Sequence, residues 1–204
     1  MNKLITTVLL GCSLIATRAT QFTYNVNLDG PSEPSTSLGT GFGSVIYDNI
    51  AHTLKLQVTF SGLVQTGTGT TLSHIHAATT TALTGTAGVA TTSTSPGFAG
   101  FPVGQTSGSY NNTLDMTLAG SWNASYITAN GGTTATAEAA LAAAMASGKA
   151  YWNIHSSTFP GGEIRGFLIA VPEPTTWALL GLGLTGLIGS AWCRGRRKGA
   201  QSLG

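Results

Sequence analysis

The chain has 204 residues, of which only 8% are charged, and a formal net charge of +2. Six of its nine cations (Lys3, Arg18, Arg194, Arg196, Arg197 and Lys198) lie in the two end segments. Residues 20–174 therefore set Lys55, Lys149 and Arg165 against seven acids, a net charge of −4. Nucleic acid is excluded as a partner, because phosphate binding needs clustered cations on the folded surface.

Residues 1–19 read as a secretory signal peptide: Lys3, an apolar run over residues 4–16, then Thr17-Arg18-Ala19 as a small-residue cleavage site. Cleavage is expected after Ala19. A competing reading takes Leu9-Leu10-Gly11-Cys12 as a lipoprotein signal. Against it, the apolar run continues past Cys12, and Leu10 is bulky for its place. The second cysteine, Cys193, lies in the other end segment, so the middle of the chain has no disulfide to staple it. About 150 residues are enough for one hydrophobic core.

Residues 20–170 form one domain rich in Thr, Ser, Gly and Ala. Alternating apolar and polar positions predict strands over residues 21–28, 41–47, 54–60, 71–76, 87–92, 108–118, 150–155 and 163–171. The second and third should form a hairpin through Asp48-Asn49. An Ala-rich segment, 135–147, predicts a helix that packs Leu141 and Met145 on the strands and stops at Gly148. Apart from residues 87–92, residues 79–101 read as long loops. The pattern is that of an all-β, antiparallel sandwich or barrel.

Two histidine motifs stand out, Ser73-His74-Ile75-His76 and Tyr151-Trp152-Asn153-Ile154-His155. The second precedes Phe159-Pro160-Gly161-Gly162-Glu163-Ile164-Arg165-Gly166. With these motifs the chain resembles the CHRD (chordin-type) domain family over residues 22–170. The resemblance implies an immunoglobulin-like β-sandwich distantly similar to copper–zinc superoxide dismutase, with no settled biochemical function. After His76 the family usually continues with Gly and Pro, whereas this chain has Ala77-Ala78-Thr79-Thr80.

Strand alternation puts His74 and His76 on one face, and Asn153 and His155 on one face, with Trp152 and Ile154 turned to the core. Two imidazoles from one strand and a third from a neighbour form a chelate that zinc or copper uses. The alternative is structural: hydrogen-bonded histidines, with Glu163 and Arg165 forming an ion pair on the closing hairpin and Gly161, Gly162 and Gly166 serving as turn or bulge residues. Arg165 would also repel a nearby divalent cation. No nucleophile motif, phosphate loop or paired carboxylate is present, and the domain's fourth histidine, His52, starts a different strand, so catalysis is not expected.

At the C-terminal end, Val171-Pro172-Glu173-Pro174 leads into nineteen uncharged residues, 175–193, and then Arg194-Gly195-Arg196-Arg197-Lys198. A helix of that length spans about 28 Å, the thickness of a bilayer's hydrocarbon core. The basic cluster should stay cytoplasmic with the tail 199–204, placing the domain across the membrane. Pro172, Glu173 and Pro174, the helix and Arg194, Arg196 and Arg197 together resemble the PEP-CTERM sorting signal over residues 171–198. That resemblance implies recognition by an exosortase-type transpeptidase and delivery to the cell surface or exopolysaccharide. The leading expectation is a non-enzymatic surface or matrix module; the runner-up is a zinc- or copper-binding protein using His74, His76 and His155.

Overall fold

The computed structural model describes residues 21–64, 67 and 69–172. The expected signal peptide and most of the expected sorting segment lie outside the described residues. Among the described residues no helix is long and apolar enough to cross a membrane.

Three long strands open the fold: β1 (Gln21–Asp29), β2 (Thr40–Asp48) and β3 (Thr53–Ser61). In β3 the alternation predicted from sequence is realised, with Leu54, Leu56, Val58 and Phe60 buried and Lys55, Gln57 and Thr59 on the outer face. The hairpin forms because Asp48 Oδ1 accepts hydrogen bonds from the backbone N–H groups of Ile50 (2.9 Å) and Ala51 (2.8 Å), which fixes the turn. Next come β4 (Thr70–Ala77), β5 (Gly108–Asp115), a 3-10 turn (Ala119–Ser121), α1 (Ala124–Ala129), α2 (Thr134–Ala146), β6 (Ala150–Ser156), β7 (Ile164–Phe167) and β8 (Ile169–Ala170).

These strands make one antiparallel sheet in the order β4-β6-β7-β1-β2-β3-β5, with β8 added to β1. The expected sandwich of two sheets is thus replaced by a single curled sheet. Its two ends meet around Phe98, whose ring lies 5.6 Å from Trp152 of β6 and 6.0 Å from Tyr110 of β5. Backbone bonds from Thr70 N–H to Gln105 O (2.9 Å), Gly104 N–H to Thr70 O (2.7 Å) and Leu63 N–H to Thr106 O (3.1 Å) close the curl at one end. The core fills its inside.

Two predicted strands change. Residues 87–92 are not a strand but a loop that meets β4 through an isolated bridge, His76 with Val89, and the residue after the 3-10 turn through another, Thr91 with Trp122. Its ladder is irregular because the Thr91 side-chain hydroxyl, in place of a backbone carbonyl, accepts the Ile75 N–H at 3.0 Å. The last predicted strand breaks at Leu168 into β7 and β8. At Gly166 a Cβ would lie 1.8 Å from the Asn27 carbonyl, so only glycine allows β1 to pass so close.

Helix α2 begins at a capping box between Thr133 and Thr136 and ends before Gly148 at φ +67°, the left-handed stop expected of glycine. Leu141 and Met145 pack into the core as predicted. Glu138 is also buried. It accepts from the Tyr47 hydroxyl at 2.8 Å and faces His52 Nδ1 at 3.0 Å, tying α2 to the β2–β3 hairpin. Burial and this contact push the Tyr47 hydroxyl pKa upward. His52 therefore sits in the turn before β3, at φ +52°, far from the other histidines in role. α1 and the 3-10 turn have no counterpart in the sequence-based prediction.

Candidate metal centre

β4 and β6 are neighbours, and their register sets Leu72 opposite His155, His74 opposite Asn153 and His76 opposite Tyr151. Cross-strand partners point to the same face, so His74, His76 and His155 all rise from one side of the ribbon. On the other side Ile75, Trp152 and Ile154 are fully buried in the core. Both faces of β6 are covered, and all seven of its residues are buried.

One ring nitrogen from each of the three histidines lies within 4.8 Å of the other two. His155 Nε2 is 2.8 Å from His74 Nε2. The loops over this face fix the tautomers. His76 Nδ1 donates to the Ala87 carbonyl at 2.8 Å, and His155 Nδ1 donates to the Pro160 carbonyl at 2.9 Å. A carbonyl only accepts, so both rings carry their proton on Nδ1 and turn a bare Nε2 lone pair inward. The proton between His74 and His155 then belongs to His74. His76 Nε2 and His74 Nδ1 are buried without a partner. Orienting Nδ1–H with a backbone carbonyl while Nε2 stays available is how metal-binding imidazoles are commonly held.

All three rings are neutral at physiological pH. Burial pushes the His74 pKa down to about 2, with His76 and His155 lowering it further by charge repulsion. Burial brings His76 to about 4 against the opposing effect of its bond to Ala87, and it lowers His155 as well. Neutral imidazole is the form that ligates. Two nitrogens on one tetrahedral ion sit about 3.3 Å apart at ordinary bond lengths, so a shift of about half an ångström would turn the 2.8 Å contact into a chelate.

The neighbouring charges form a second layer. Arg165 on β7 lies opposite Asn153, and its guanidinium carbon stands 4.8 Å from the centre of the Tyr151 ring, which stacks on His76 at 4.6 Å. Arg165 Nε pairs with Glu33 Oε2 at 3.3 Å and also donates to the Ser32 carbonyl. Asn153 Nδ2 donates to the same Glu33 oxygen at 3.2 Å. The expected Glu163–Arg165 ion pair is not formed. Glu163 precedes β7 at the tight turn made by Gly162 (φ +135°), and its Oε1 accepts from Ser37 Oγ and Val64 N–H, both at 2.6 Å. Sequence alternation could not show this, because Glu163 lies outside the strand that aims Arg165. Gly161 accompanies Gly162 in the same turn, between β6 and β7.

Sequence reading thus named the three histidines that the fold brings together, and it missed Glu33. A lone acid in the loop Gly30-Pro31-Ser32-Glu33 carries no signal of a partner that lies more than a hundred residues later. Residues 24–168 match the family model of the CHRD domain, and residues 170–197 match the PEP-CTERM protein-sorting motif. Neither a curated protein nor a solved structure matches the chain. The sorting motif indicates an exported protein displayed at the cell surface by an exosortase-type system. With its histidine strands and its Phe-Pro-Gly-Gly-Glu-Ile-Arg-Gly segment inside a match that covers most of its length, the chain belongs to the CHRD domain family.

Proposed function

We propose that this protein is a non-enzymatic surface module whose domain binds a transition metal ion, copper or zinc, through His74, His76 and His155. The observation that carries the reading is the convergence of three buried, neutral imidazoles, two of them held by backbone carbonyls with Nε2 turned inward. On binding, the ion takes the place of the proton between His74 and His155, and the His74 proton moves to its unpartnered Nδ1. Zn²⁺ and Cu²⁺ should bind the full chain, purified in detergent, with micromolar or tighter affinity by calorimetry, and His155→Ala should weaken this at least about tenfold. Binding unchanged by that substitution removes His155 from the site; no binding of Zn²⁺, Cu²⁺ or, under reductant, Cu⁺ at micromolar concentrations ends the metal reading.

The accompanying proposal is processing at the sorting motif followed by association with exopolysaccharide. It is favoured by the outer sheet face, where Asn25, Ser44, Gln57 and Asn111 align across four strands beside the half-exposed ring of Phe42. Such a face is uncharged over these positions and suits neutral hydroxyl-rich chains. Intact mass of surface-extracted protein should lack the residues after about Pro174, and digestion of the polysaccharide should release the protein into the medium. A mass that retains residues 194–198 would show a plain membrane anchor instead.

A further inference from the structure

We infer that the histidine centre is built for a monovalent ion, Cu(I) in three-coordinate form, and that Arg165 sets this preference by neutralising Glu33. This inference rests on the metal reading of the site and names the ion that it takes. Its first support is the donor set. Among the described residues the group consists of His74, His76 and His155, with no carboxylate or thiolate joining it. Three neutral ligands leave the whole charge of the ion uncompensated. The three residues are 4%, 8% and 6% exposed, so water does little to offset that charge. A divalent ion doubles the burden, and Zn²⁺ in a three-histidine site takes a water as its fourth ligand, which a centre so little exposed disfavours. Cu(I), a filled-shell cation of unit charge, is satisfied by two or three ligands.

The second support is the disposition of the nearest carboxylate. Glu33 reaches the edge of the site, since it is bonded to Asn153, the cross-strand partner of His74. Left alone it would offer the negative charge that a divalent ion needs. Arg165 takes that charge, pairing with it at 3.3 Å. The guanidinium carbon stands 4.8 Å from the centre of the Tyr151 ring, the ring that also stacks on His76, so Tyr151 links Arg165 to the site. Arg165 is 7% exposed, and its Nη1 has no hydrogen-bond partner. As a positioned charge, it keeps the surroundings of the three imidazoles from becoming anionic. Glu163, the buried acid just before β7, is turned away to Ser37 and Val64.

The test compares ions on the full chain in detergent, by competition with chromophoric chelators: Cu(I) under anaerobic reductant, Cu(II) and Zn(II) in air. Cu(I) should bind roughly a thousandfold more tightly than Zn(II), the scale set by burying one additional unit of charge, and more tightly than Cu(II). Arg165→Gln, which frees Glu33, should raise Zn(II) affinity about tenfold or more and change Cu(I) affinity less, because the interaction scales with ionic charge. Glu33→Gln, which leaves Arg165 unmatched, should weaken Zn(II) further, and it decides the matter should Arg165→Gln fail to fold. Zn(II) or Cu(II) binding as tightly as Cu(I) would overturn this inference and leave the metal site standing. Failure of all three ions to bind would overturn both.

Discussion

Trp152→Ala is expected to lower the stability of the domain by about 3–5 kcal/mol, the range for removing a large buried aromatic. Trp152 is fully buried on the core side of β6, edge-on to Phe98 at 5.6 Å. Through Phe98 it joins the two ends of the curled sheet, so the cavity cannot be closed by moving one element. The substitution also removes the hydrogen bond from Trp152 Nε1 to Ser73 Oγ at 2.7 Å. Ser73 keeps its own bond to the Asn153 carbonyl at 3.0 Å, so its hydroxyl is not orphaned. Urea unfolding measures the effect. A loss below about 1 kcal/mol, the size of an ordinary surface change, would mean that the faces of β6 are reversed. It would also place the three histidines inside the core.

Acid should destabilise the metal-free domain well before its carboxylates protonate. In the unfolded chain His74 and His76 take up protons near pH 6.5. In the folded protein they do so only near pH 2 and pH 4, because burial disfavours the imidazolium. Between these values the unfolded state holds more protons, so stability is full above about pH 6.5 and falls as the pH drops below it. From pH 7 to pH 5 the two groups together account for roughly 3–4 kcal/mol, a large share of a typical domain's stability. His155, also lowered by burial, acts in the same direction. Glu33, raised by its own desolvation, opposes the trend at more acid pH. Urea unfolding in the presence of chelator at pH 7 and pH 5 tests this. Equal stabilities would show that the three rings are not held neutral in the folded state. Added metal should raise stability by a similar amount at both pH values, because a ligand that binds only the folded state adds its binding free energy while the imidazoles remain neutral.

Much of the fold was legible because its signals are local. The period-two alternation in β1, β2 and β3 fixed which residues face the core, and Asp48 announced its turn through a side chain that bonds its own backbone two and three residues on. Alanine content and Gly148 marked α2 and its end. His74 and His76, two residues apart on a strand, had to share a face. The family resemblance was equally local, carried by short motifs, and the match over residues 24–168 upheld it.

What sequence could not decide is which strands are neighbours. Adjacency of β4 and β6 brings His155 to His74, yet it joins residues 81 positions apart, and nothing local encodes that pairing. The same limit hid the single curled sheet, because whether strands divide into two sheets or close around one depends on long-range backbone bonds such as those of Thr70 with Gln105 and Gly104. It hid the roles of the charges as well. Glu163 and Arg165, adjacent on paper, separate because a turn at Gly162 aims one toward Ser37 and a strand aims the other toward Glu33. The residue types that carry the chemistry were thus set by the sequence and its alternation. Their tautomers, their neutrality and the charge around them were set by the tertiary fold, because burial and the backbone carbonyls of distant loops determine where a buried proton rests.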